Sequence, residues 1–115
     1  GGFTADLNQK PTNAPIPSEA QNGLKNQAYT IAMARTSDPD SATAQFFINV
    51  KDNEALNYPN AMGNGYTVFG KVISGAQTID AIRKVPTMLA PTPKMGRMAD
   101  VPSKTVTIES ATILK

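Results

Sequence analysis

Two short apolar runs within residues 29–50 constrain this chain more than any other feature. They are Thr30-Ile31-Ala32-Met33-Ala34 and Gln45-Phe46-Phe47-Ile48-Asn49, separated by the turn-rich Ser37-Asp38-Pro39-Asp40-Ser41. Each run has strand length and is rich in β-branched or aromatic residues, while Pro, Asp and Ser favour turns. Side chains alternate across a strand. Tyr29, Ile31 and Met33 therefore fall on one face of the first, and Thr30, Ala32 and Ala34 on the other. In the second, Gln45, Phe47 and Asn49 oppose Phe46, Ile48 and Val50. A strand with a phenyl ring on each face has two apolar environments to satisfy. Phe46 is assigned to the core and Phe47 to a ligand groove, because polar Gln45 shares the face of Phe47.

The remaining chain reads as β-rich with one helix. Residues 1–28 are irregular: Lys10-Pro11, Ala14-Pro15 and Ile16-Pro17 cannot sustain a helix, and Asn22-Gly23 is a turn signal. Residues 51–65 read as a loop containing Pro59, Gly63 and Gly65. A third strand is expected over 66–73, with Tyr66, Val68, Gly70 and Val72 alternating against Thr67, Phe69, Lys71 and Ile73. From Gly75 the period lengthens, and Ala76, Ile79, Ala81 and Ile82 mark an amphipathic helix ending near Lys84. Ser74 is its expected N-cap and Pro86 its stop. Pro91, Pro93, Gly96 and the methionines Met88, Met95 and Met98 predict a further loop. Residues 106–114 predict a last strand, with a phase change near Ser110.

Composition narrows the chemistry. The 115 residues are 40% apolar and 17% charged, which suits one domain with a modest core. A net charge of +2, with Lys and Arg scattered, gives no basic face for nucleic acid. No apolar run approaches the roughly 20 residues of a membrane-spanning helix. No signal peptide is read, and a start at Gly1 fits a processed chain or a fragment. With no cysteine and no histidine, thiolate catalysis, a Ser-His-Asp triad and most zinc sites are excluded. Asp52 and Glu54 read as solvated surface charges, and Asp38 and Asp40 lack the spacing of a calcium loop. Any catalysis must proceed without imidazole or thiol, and no metal or cofactor is expected.

The motifs Met33-Ala34-Arg35 and Ser41-Ala42-Thr43-Ala44-Gln45-Phe46-Phe47-Ile48-Asn49 closely resemble the signature of the cyclophilins, the peptidyl-prolyl cis-trans isomerases. Gly1-Gly2-Phe3-Thr4, Asn22-Gly23-Leu24-Lys25-Asn26 and Tyr66-Thr67-Val68-Phe69-Gly70-Lys71-Val72 match in the same order. The resemblance covers essentially the whole chain. It implies a mainly β fold, an eight-stranded antiparallel barrel with capping helices. Residues 1–115 would form a single domain that is N-terminally incomplete.

Position by position, the resemblance implies a proline pocket floored by Phe47, with Met33, Leu56 and Tyr66 as walls and Gln45 flanking it. Ala34 and Arg35 line the groove for the residues before proline. The family often has Asn where Arg35 stands, and commonly an aromatic residue where Ala55 stands. Its catalytic Arg and a substrate-binding Gln lie ahead of Gly1, while Arg35, Arg83 and Arg97 occupy other motif positions. On that reading no residue of this chain is catalytic, and the isolated chain is expected to have little or no isomerase activity. The partners implied are proline-containing peptides and folding proteins, together with cyclosporin-like ligands, with the chain a monomer. The wording of the 66–72 run and of Val101-Pro102-Ser103-Lys104 looks bacterial and leans periplasmic, with the cytoplasm as alternative. Rival readings are a proline-peptide-binding module without turnover and a structural remnant with no ligand.

Overall fold

The computed structural model describes residues 1–59 and 63–114; residues 60–62 of the expected 51–65 loop lie outside this description. Five strands occur among the described residues, all paired antiparallel, in a three-stranded and a two-stranded sheet. The first sheet has β1 (Thr30–Met33) at its centre, flanked by β2 (Phe46–Ile48) and β3 (Val68–Lys71). Ala32 sits opposite Phe47 on one side and Val68 on the other, and is fully buried at 0% exposure. A methyl group is what fits between two bulky cross-strand neighbours. The β1–β3 register shifts between Ile31 and Ala32, a bulge that raises the local twist.

Helix α1 (Ala76–Arg83) follows β3, as its 3.6-residue period predicts. Its N-cap is Gly75, in the left-handed region with φ 82°, and no side chain caps it. The expected cap, Ser74, stands one residue too early. The Tyr29 hydroxyl donates to Asp80 Oδ1 at 2.8 Å, tying the helix to the residue that precedes β1.

Two expectations are corrected here. Residues 88–98, expected as a loop, contribute to a hairpin of β4 (Thr87–Thr92) and β5 (Gly96–Pro102). Proline was the misleading signal: it breaks central strands, but in a two-stranded ribbon each strand has a free edge where a missing N–H does no harm. The tip is closed by Thr92, whose Oγ1 accepts the Met95 N–H at 2.9 Å and donates to Gly96 O at 2.7 Å. Residues 106–114, expected as a strand, are irregular and exposed, with Ile113 at 89% exposure. Alternation of apolar residues cannot by itself make a strand, and among the described residues no edge pairs with this segment. Residues 1–28 are irregular as expected, apart from single bridges at Phe3–Gln9 and Ile16–Ala42.

The buried apolar residues are small: Ala20, Ala32, Ala42, Val68 and Ala90. The largest fully buried side chains are amides, Asn26 and Asn49, each 1% exposed. The accessible surface is 8569 Å², against about 6,100 Å² for a typical folded monomer of this mass. Much apolar surface therefore stays in contact with solvent, and order in the first sheet depends heavily on hydrogen bonding.

Candidate functional site

Phe47 and Tyr66 form the nucleus of the candidate site. Their rings meet edge-to-face, with centroids 5.8 Å apart and planes at 79°, the arrangement favoured by the aromatic quadrupole. Phe47 reaches this position from β2, on the face it shares with Ala32 and Val68, and it is partly rather than fully buried. Phe46 takes the opposite face, where its ring lies against Gly1. The division of the two phenylalanines between faces follows from strand alternation.

Tyr66 is placed by backbone constraints just before β3. Its N–H donates to Leu56 O at 2.9 Å. The preceding residue, Gly65, has φ 64°, and a Cβ there would stand 2.6 Å from the Tyr58 amide nitrogen. Both the positive φ and this close approach require glycine. Leu56 ends a 3₁₀ turn, Glu54–Leu56, inside the expected 51–65 loop, and is partly buried. Asn53 and Asn57 flank that turn.

Arg35 closes the site on another side. Its Cζ lies 4.4 Å from the Tyr66 ring centroid, within cation–π range. Nη2 donates to Gly65 O at 2.6 Å and Nη1 to Thr36 O at 2.8 Å. The guanidinium is thus committed to the backbone and to the ring beside it. Ala34 and Gln45 meet through the backbone, Ala34 N–H donating to Gln45 O at 2.9 Å. The Gln45 side chain lies along Gly2, where a Cβ would come within 2.7 Å of Gln45 Cγ.

Met33 stands apart. It pairs across the ladder with Phe46, and directly opposed residues project to the same face. It therefore lies on the face opposite Phe47, and as a wall of the Phe47 pocket it is corrected by the register. Met33 lines an apolar cavity of about 190 Å³ with Ile16, Pro17, Arg35, Thr67 and Phe69, which adjoins the site at Arg35. The structure thus brings together Phe47, Tyr66 and Arg35 by direct contact and joins Leu56 to Tyr66 through the backbone.

A buried amide cluster was not read from the sequence. Asn26, Asn49, Asn53 and Asn57 interlock: Asn49 Nδ2 donates to Asn26 Oδ1 at 3.0 Å and to Thr30 Oγ1 at 2.9 Å. Asn53 Nδ2 donates to Asn49 Oδ1 at 2.8 Å. The available signal was an excess of asparagine at 22, 26, 49, 53 and 57, but in isolation such residues read as turns and solvated surface. Among the described residues no cluster of three metal-ligating side chains occurs, and no helix is long and apolar enough to cross a membrane.

With sheet and ring geometry in place, the class follows. Residues 1–113 match the family model of the cyclophilin type peptidyl-prolyl cis-trans isomerase/CLD, and the chain belongs to that family. It is 56% identical over 116 residues to peptidyl-prolyl cis-trans isomerase cyp18 of Streptomyces antibioticus, covering 99% of this chain and 67% of the relative. It is 50% identical to peptidyl-prolyl cis-trans isomerase A of Dickeya dadantii, covering 100% of this chain and 57% of that protein. Identity to peptidyl-prolyl cis-trans isomerase B of Escherichia coli is 49%, covering 98% and 67% respectively. The chain thus spans 57% to 67% of the length of these relatives.

Proposed function

We propose that this chain provides the proline-holding face of a peptidyl-prolyl cis-trans isomerase. The observation that carries the reading is the partly exposed Phe47 ring on the sheet face, met edge-on by Tyr66, in a chain of the cyclophilin family. The chemistry needs no nucleophile. Rotation about an amide has a barrier of about 18–20 kcal/mol because resonance gives the C–N bond double-bond character. Rotation about an X-Pro bond is slow enough to limit folding, and neither isomer is excluded. A catalyst has only to bind the twisted amide more tightly than the planar one.

In this chain Phe47 supplies an apolar floor for the pyrrolidine ring, and Tyr66 and Leu56 bound it. Anchoring the ring while the preceding residue turns is the contribution such a slot makes to rotation. Gln45 and Ala34, bonded to one another across the strand ends, offer an edge along which the residues before proline align. The guanidinium of Arg35 holds the groove by its contacts to Gly65 and Thr36. Proline-containing segments of folding proteins are the substrates of this reading, which includes cyclosporin-like ligands, a monomer and a periplasmic setting.

Exchange spectroscopy on an X-Pro peptide tests it, using the full-length protein. Faster cis/trans exchange with saturable binding is the expected result. Binding without faster exchange would leave a peptide-binding module, and the absence of both would overturn the reading.

A further inference from the structure

Asn26 is buried to 1% exposure, yet its side-chain amide meets Leu56, Tyr66, Asn57 and Asn49. Its Nδ2 lies 3.1 Å from Leu56 O, 3.2 Å from Tyr66 O and 3.3 Å from Asn57 Oδ1. Its backbone N–H donates to Asn57 Oδ1 at 2.6 Å, and its carbonyl accepts the Asn53 N–H at 2.8 Å. Its Oδ1 accepts from Asn49, two residues beyond Phe47 in the chain.

We infer that Asn26 is a positioning residue, which sets the spacing of Phe47, Leu56 and Tyr66 through one buried side-chain amide. This rests on the proline-pocket reading above. Those three residues come from separate segments: β2, the 3₁₀ turn and the approach to β3. Two of the segments are gripped at the carbonyl of the pocket residue itself, and the third through Asn49. Leu56 O also accepts the Tyr66 N–H, so the two wall residues and Asn26 form a closed triangle of hydrogen bonds. A buried amide with its donors matched fixes both distance and direction, which apolar contacts alone do not. Aliphatic replacement would leave both carbonyls with fewer donors in a dry environment.

The role separates from general stability by experiment. In the full-length protein, Asn26→Ala should abolish the NMR cross-peaks between the Phe47 and Tyr66 rings. It should also weaken X-Pro peptide binding about tenfold, the scale of one or two lost buried hydrogen bonds. The parent protein, in enough urea to match the variant's stability, should keep both the cross-peaks and its affinity. Asn26→Asp, which keeps the shape but loses the amide donors, serves if the alanine variant does not fold, and should also lose the cross-peaks. Retained ring contacts in a folded Asn26 variant, or equal losses in the urea-matched parent, would overturn the inference. A parent that neither binds nor isomerises the peptide would overturn the functional reading instead, while the ring cross-peaks still decide the positioning role.

Discussion

The three-stranded sheet and the β4–β5 hairpin are both antiparallel, yet they are held in different ways. In the sheet, Ala32 and Val68 are buried beside Phe47, and two asparagines are sealed beneath the loop that carries Leu56. In the hairpin, Ala90 is the one residue buried, while Met88, Leu89 and Met95 are exposed. The hairpin relies on its ladder and on the Thr92 turn. The lesson is that backbone pairing suffices to define an element, but fixing side chains relative to one another requires buried, matched partners.

The strongest test of this contrast is Asn49→Ala. It would strand Asn26 Oδ1 and Asn53 Nδ2 within the cluster, and stability should fall by about 2–3 kcal/mol in urea unfolding. A near-neutral result would show that the amide cluster is not what holds the sheet. Next comes Phe47→Ala, which removes the pocket floor. Its X-Pro peptide affinity should drop about thirtyfold, or roughly 2 kcal/mol, as for an aromatic anchor. Unchanged binding by calorimetry would remove Phe47 from the site.

Arg35→Ala should weaken peptide binding about fivefold, near 1 kcal/mol, by releasing the Tyr66 ring. Arg35→Lys should fall between the two, because an ammonium keeps the charge but loses the planar fork that reaches two carbonyls. A lysine variant weaker than the alanine one would contradict that account. Smaller again is the effect of the Tyr29–Asp80 contact. The hydrogen bond to Asp80 raises the Tyr29 pKa above its usual value, with desolvation and the Asp80 charge adding to it. A raised folded pKa means that the contribution is fully present below the unfolded value, about 10, and is lost as pH rises through the folded one. The urea midpoint should therefore fall slightly at high alkaline pH, and Tyr29→Phe should remove that component of the pH dependence. At the far end, Leu89→Ser on the exposed hairpin face should change stability by less than about 0.5 kcal/mol. A loss comparable to that of Asn49→Ala would erase the distinction between the two regions.

Sequence pattern reached the first sheet well because β1, β2 and β3 each carry β-branched or aromatic residues bounded by turns. It misread the hairpin because Pro91 lies in a strand whose free edge tolerates it while Pro93 sits in the turn, a fact about neighbours rather than about proline. It misread residues 106–114 for the converse reason: apolar alternation there meets no partner strand among the described residues. At the site, the opposed faces of Phe46 and Phe47 were legible from a period of two. The place of Met33 was not, because its face relative to Phe47 depends on the β1–β2 register, a long-range property.

The chain's own residues determined that it offers neither imidazole nor thiol, that it is mainly β, and that its motifs are those of the cyclophilins. Tertiary structure alone decided that Arg35 lies over Tyr66, that Gly65 passes against Asn57 and Tyr58, and that Asn26 joins two pocket walls. Local pattern is set by bond geometry and side-chain shape over a few residues. A buried amide's partners come from 30 and 40 positions away, and their identity is fixed only when the chain closes on itself.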